Sequence, residues 1–159
     1  MSHAELTRLV ASDQASGQTV AVASGCFDLL HVGHVRYLYG AADQADRLIV
    51  AVNSDEMVQT LKGPGQPILP SNERAELVAS LAMVDYVIVF STPTVAELLG
   101  ELRPDVHCKG TDYTIDNVPE RTVVREYGGR TVIVGDPKEH STKSILNRVA
   151  ERLRDPARS

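Results

Sequence analysis

The sequence predicts an α/β protein: a doubly wound, five-stranded parallel sheet with helices on both faces. Three observations carry that prediction. Five short apolar runs, starting near Thr19, Arg47, Asp85, Asp105 and Arg130, alternate with segments of helical periodicity. Leu48-Ile49-Val50-Ala51-Val52 is apolar at successive positions rather than at every second one, as a strand must be when both faces of its sheet are covered. Polar or glycine-bearing stretches follow these runs, where an open parallel sheet presents its ligand-binding edge.

A leading helix over about residues 3–15 is expected from the capping pattern Ser2-x-x-Glu5 and from Leu6, Leu9 and Val10 at helical spacing. Ser16-Gly17-Gln18 ends it and hands over to the first strand, Thr19 to Ala23. After a glycine-bearing turn, Val35, Leu38, Tyr39 and Ala42 mark the next helix, and Arg47 to Val52 the second strand. Asn53-Ser54-Asp55 reads either as the cap of a short helix from Asp55 to Leu61 or as a ligand contact. Leu61 to Pro67 is dense in turn residues and reads as a mobile loop over the edge, with Lys62 at its start. Ser71 is placed to cap a helix with Leu77, Val78 and Leu81 on its apolar side.

Asp85 to Phe90 forms the third strand, and a helix from Thr94 to Leu102 is stopped by Pro104. A short fourth strand, Asp105 to Cys108, delivers Lys109-Gly110-Thr111-Asp112-Tyr113 to the same edge. Asn117 to Tyr127 reads as a helix closed by Gly128-Gly129, and Arg130 to Val134 as the fifth strand. A loop from Gly135 to His140 leads to Ser141-Thr142, which caps a last helix carrying Ile145, Leu146, Val149 and Leu153. Without repeat, low-complexity tract or linker, residues 1–159 read as one domain with its core from about 19 to 154.

A net charge of −5 argues against a general nucleic-acid or membrane binder. Arg148, Arg152, Arg154 and Arg158, interleaved with Glu151 and Asp155, read as a solvated helix face. Two cysteines, Cys26 and Cys108, are too few for a secreted disulfide framework and fit a reduced cytoplasm. They read as packing residues rather than nucleophiles. No apolar run approaches the ~18 residues of a membrane span.

The chemistry concentrates in Ala23-Ser24-Gly25-Cys26-Phe27-Asp28-Leu29-Leu30-His31-Val32-Gly33-His34. A helix starting near Val32 leaves unpaired N–H groups and a positive dipole end at the mouth of a strand, which suits an anion. His31 and His34, three apart, fall on one side of that opening, and Gly33 leaves a phosphate free to approach the backbone. Zinc is the alternative for Cys26, His31 and His34, but no fourth ligand completes a shell.

Gly25-x-Phe27-Asp28-Leu29-Leu30-His31-x-Gly33-His34 resembles the signature of the nucleotidyltransferase superfamily with paired histidines, the cytidylyltransferase-like enzymes. The likeness runs from about Val20 to Val149. Arg47 to Asp55, Leu61-Lys62-Gly63, Glu73-Arg74, Val84-Asp85 and Lys109 to Tyr113 resemble the branch that adenylylates D-glycero-D-manno-heptose 1-phosphate. Tyr113 stands where cytidylyltransferases favour tryptophan, and Lys138-Glu139-His140 departs from their pattern before Ser141-Thr142. Ala23-Ser24 departs from the heptose branch, and the sugar kinase often fused to it is absent from this chain.

The resemblance implies transfer of AMP from ATP to heptose 1-phosphate, giving ADP-heptose and pyrophosphate for lipopolysaccharide core precursors, with Mg²⁺ accompanying ATP. It implies His31, His34 and Lys109 as catalytic residues and Lys62 and Arg74 as contacts to substrate phosphate. Nucleotide contacts would come from Gly25, Cys26, Phe27, Asp28, Gly33, Asn53, Asp112, Ser141 and Thr142. Asp28 would either orient substrate or fix the turn by backbone hydrogen bonds. A homodimer, a cytoplasmic location and no nucleic-acid or membrane partner complete the expectation. The alternatives are a cytidylyltransferase acting on glycerol 3-phosphate or an amino-alcohol phosphate, and a nucleotide sensor without catalysis. A dinucleotide-binding domain lacks its Gly-x-Gly-x-x-Gly after strand one.

Overall fold

A computed structural model describes residues 1–137 and 139–154. Lys138, and Asp155 and Arg158 of the basic cluster, lie outside the described residues. Five strands, β1 (Val20–Gly25), β2 (Arg47–Asn53), β3 (Tyr86–Phe90), β4 (Val106–Lys109) and β5 (Arg130–Ile133), pair in parallel in the order β3-β2-β1-β4-β5. The chain winds outward from β1 through β2 to β3, then crosses back to lay β4 on the other side of β1. That reversal between β1 and β4 is the sheet's switch point, where neighbouring connections leave in opposite directions and open a crevice.

Alternation along the strands sends side chains to two cores. Val20, Val22, Ile49, Ala51 and Ile88 meet Leu6 and Val10 of α1 (His3–Ala15), Leu98, Leu99 and Leu102 of α5 (Ala96–Leu102), and Val124 of α6 (Arg121–Glu126). Ala21, Ala23, Leu48, Val50, Val52 and Cys108 meet Leu38 and Ala41 of α2 (Val32–Ala42) and Val78 of α4 (Ser71–Ala79). With β2 buried on both faces, the continuous apolar run has its explanation. Two helices flank the crevice instead, α3 (Asp55–Lys62) and α7 (Thr142–Arg154). Arg148, Arg152 and Arg154 of α7 are exposed, a solvated face.

Three helix starts shift from their expected places, each for a physical reason. Pro70, not Ser71, holds the cap position of α4, because Asp28 grips the two preceding amides and starts the turn one residue early. The helix expected from Thr94 begins at Ala96, whose N–H donates to Thr94 Oγ1 and so spends that residue in a turn. The helix expected over Asn117 to Tyr127 is divided into a 3₁₀ turn, Ile115–Asn117, and α6, since Pro119 supplies no N–H to join them.

Candidate functional site

A cavity of about 1150 Å³ opens at the carboxyl ends of the strands, with the start of α2 and the Lys109 segment on its walls. Tyr37 props the switch point open beneath it. Past Ala23 and Cys108 the β1–β4 ladder ends. There the Tyr37 hydroxyl accepts from Ser24 N–H at 3.3 Å and donates to Cys108 O at 2.8 Å. The diverging strands are thereby satisfied without closing.

His31 and His34 form a reciprocal cap on α2. Gly33 N–H donates to His31 Nδ1 at 3.1 Å, and His31 N–H donates to His34 Nδ1 at 3.3 Å. An accepting Nδ1 leaves the proton of a neutral imidazole on Nε2, so both rings are donors at their far nitrogen. In effect they carry the donor character of the helix N-terminus outward by one ring. The rings stack with centroids 3.8 Å apart, and two charged imidazoles at that distance would repel. Burial, then His31 and Lys62, push His34 down to about 3. Burial, then His140 and Lys62, lower His31 as well. The pair is therefore neutral at pH 7.

This cap alters the reading of Gly33. Its N–H is taken by His31, and a Cβ there would lie 3.0 Å from the His31 ring and 3.2 Å from His140 Cβ. The glycine makes room for an imidazole, not for a phosphate against the backbone. Gly25 similarly accommodates Phe27, whose ring would meet a Cβ at 3.2 Å. Phe27 itself is a floor, buried with its ring 5.4 Å from His34 and 6.3 Å from Tyr37.

From the other wall, Lys109 Nζ donates to Ser24 Oγ at 3.3 Å, pairs with Glu120 at 3.6 Å and lies 5.1 Å from the Tyr113 ring centroid. Lys62, at the exposed end of α3, stands at the mouth and acts on both histidines through its charge. Asn53 and Cys26 line the cavity side by side, Sγ 3.8 Å from Oδ1. Burial pushes the Cys26 thiol up and Cys108 up to about 12, away from thiolate chemistry. Asp112, Ser141 and Thr142 also line the cavity. Ser141 Oγ caps α7 by accepting from Ser144 N–H at 3.1 Å, while Thr142 Oγ1 donates to Asp28 O at 2.7 Å.

Two expected contacts fall elsewhere. Arg74 is fully buried, donating to the Leu69, Cys26 and Asn53 carbonyls and to Asp55 at 2.8 Å. A guanidinium so occupied joins strand ends and offers nothing to a substrate phosphate. Asp28, 1% exposed, accepts from Ile68 N–H at 2.7 Å and Leu69 N–H at 3.0 Å. Of its two expected roles the structure supports the backbone one. Conversely Tyr37, Glu120 and His140 line the cavity without having been singled out. Tyr37 falls on a helix whose periodicity marks packing, and Glu120 within a segment whose spacing predicts one continuous helix.

Among the described residues no three His, Cys, Asp or Glu side chains group to hold a metal. No helix among them is long and apolar enough to cross a membrane. A smaller hollow of about 430 Å³ beside α4 and β3 has carboxylates, Glu76 and Asp85, as its charged side chains and would repel phosphate.

The parallel sheet's switch point thus brings two imidazole donors and a lysine to the lining of one cavity. The chain belongs to the cytidylyltransferase-like family, whose model matches residues 22–153. It is 41% identical over 152 residues to the bifunctional protein HldE of Alcanivorax borkumensis, covering 96% of this chain and 32% of that protein. The HldE of Mesorhizobium japonicum is 44% identical over 89% of this chain and 29% of its own length. The chain thus spans about a third of the length of the curated relatives it matches. A crystal structure titled as the lipopolysaccharide core biosynthesis protein from Thermoplasma volcanium superposes with a TM-score of 0.66 at 27% identity, covering 77% of this chain and all of that one.

Proposed function

We propose that residues 1–159 act as one nucleotidyltransferase domain that moves AMP from ATP to heptose 1-phosphate, releasing pyrophosphate and forming ADP-heptose for lipopolysaccharide core synthesis. The observation that carries the reading is the paired cap: two imidazoles on the lining of a cavity of about 1150 Å³, each with Nδ1 occupied by a backbone N–H and Nε2 left over as a donor. The similarity to HldE proteins over nearly the whole chain supports heptose as the acceptor.

The sugar phosphate attacks the α-phosphorus of ATP in line, the new P–O bond forming as the bond to pyrophosphate breaks. A phosphomonoester with its second pKa near about 6 is mostly ionised at neutral pH, so no general base is required. Catalysis then consists of positioning and of neutralising charge on the α-phosphoryl and departing pyrophosphate. His31 and His34 donate from Nε2, and the triphosphate's own charge favours protonating them further. Lys109 and Lys62 supply fixed positive charge from the opposite wall and the mouth, and Ser141 contributes at the start of α7. Magnesium enters with ATP as part of the substrate, screening the triphosphate. A cytoplasmic homodimer is the form proposed for the enzyme.

The test is pyrophosphate release with the four nucleoside triphosphates crossed against heptose 1-phosphate, glycerol 3-phosphate and phosphoethanolamine. Turnover confined to ATP with heptose 1-phosphate is expected. Turnover with CTP would reassign the domain to the cytidylyltransferase branch, and nucleotide binding without release for every pair would overturn the enzymatic reading.

A further inference from the structure

We propose that Glu120 is a positioning residue for nucleotidyl transfer: its carboxylate holds the Lys109 ammonium at the reacting phosphates without touching substrate itself. The inference rests on the transfer reaction proposed above. Glu120 is an acid walled into a site built for anions, its side chain 4% exposed. Its Oε2 lies 3.6 Å from Lys109 Nζ and has no hydrogen-bond partner among the described residues. Lys109 therefore meets three restraints from three segments: Ser24 on β1, Tyr113 in the loop after β4, and Glu120 at the head of α6.

Two physical arguments separate this role from a plain structural ion pair. A buried ion pair is a poor way to stabilise a fold, since removing two charges from water offsets much of their attraction. A carboxylate beside a triphosphate also opposes binding of the polyanion, so affinity for ATP cannot be what it serves. What it does supply is a fixed place for an ammonium on a flexible four-carbon stem. An ammonium aimed at charge that develops only in the transition state raises kcat rather than ground-state affinity.

Those arguments set opposite signs for two measurable quantities. In Glu120→Gln, the lost negative charge leaves the KM for ATP unchanged or lower. The unanchored ammonium lowers kcat by about 10- to 100-fold, the loss expected of a group displaced by about 1 Å. Glu120→Asp, which keeps the charge on a shorter stem, recovers part of kcat and is the second variant should the glutamine form melt early by circular dichroism. In a Lys109→Ala background Glu120→Gln costs no further activity, because the group it positions is gone.

Steady-state kinetics on the parent and these four variants, Lys109→Ala alone and combined with Glu120→Gln among them, with ATP affinity by calorimetry, decide the matter. A fall in kcat at unchanged or lower KM, partial rescue by aspartate and no further loss without Lys109 support the role. Turnover by the parent protein with kcat unchanged in Glu120→Gln, or an equal loss with and without Lys109, overturns the role alone. Absence of turnover by the parent with every substrate pair overturns the transfer reading and this role with it.

Discussion

The two ends of the sheet are built from similar polar groups and do opposite things with them. At the amino ends, aspartates close on the backbone: Asp46 accepts from Thr19 N–H, Asp85 from Leu48 N–H and Asp105 from Val20 N–H, each at 2.8 Å. Arg47 adds an ion pair to Asp85 at 2.9 Å. Every named group there ends in a protein partner. At the carboxyl ends, His31 and His34 take a backbone N–H on one side of the ring and turn the other side to the cavity. The lesson is that function is set by what a polar group has left over after the fold has used it. Arg74 and Asp28, with nothing left over, belong to the supporting structure although they sit at the functional end.

The widest break in that contrast comes from His34→Ala. Losing one donor to the transition state typically costs about 2.7–4 kcal/mol, so turnover should fall by about 100- to 1000-fold. The circular dichroism spectrum should not change; retained turnover would sink the donor role.

Between the two ends, His107 on β4 is fully buried, with neither ring nitrogen hydrogen-bonded among the described residues. Burial first, then the Lys109 charge, push it down to about 3. A folded pKa below the unfolded value near 6.5 means that stability is complete above about pH 6.5 and lost as pH falls toward 3. At pH 5 this one group should cost on the order of 2 kcal/mol. Urea titrations at pH 7 and pH 5 should show His107→Leu losing less stability between them than the parent, and equal losses would contradict the assignment.

The smallest effect is expected at the amino end. Asp85→Ala should lower unfolding free energy by about 1.5 kcal/mol, because Leu48 N–H loses a charged acceptor. It should leave kcat within error, and a kinetic defect there would mean that the two ends are not separable.

The strands were legible because burial on both faces demands continuous apolar runs, and the histidine pair because helical spacing dictates its side. For Arg74 the sequence misleads because a charged side chain near a ligand edge suggests solvent and substrate, whereas four carbonyl and carboxylate acceptors, three of them from distant segments, enclose it. Nothing local in the sequence announces those acceptors. Gly33 was assigned freedom of approach because the ring that fills its space is positioned by the very hydrogen bond it donates. Glu120 escaped because the break at Pro119, which sets it at the head of α6, is a tertiary choice between one helix and two.

Asp28 grips Ile68 and Leu69 with its carboxylate and holds Thr142 with its carbonyl. The segment after α3 and the start of α7 are thus hung from a single post in the histidine loop. Mechanically, these two segments do not move independently: a displacement of the post is transmitted to both, and the imidazoles three and six residues further on ride with it.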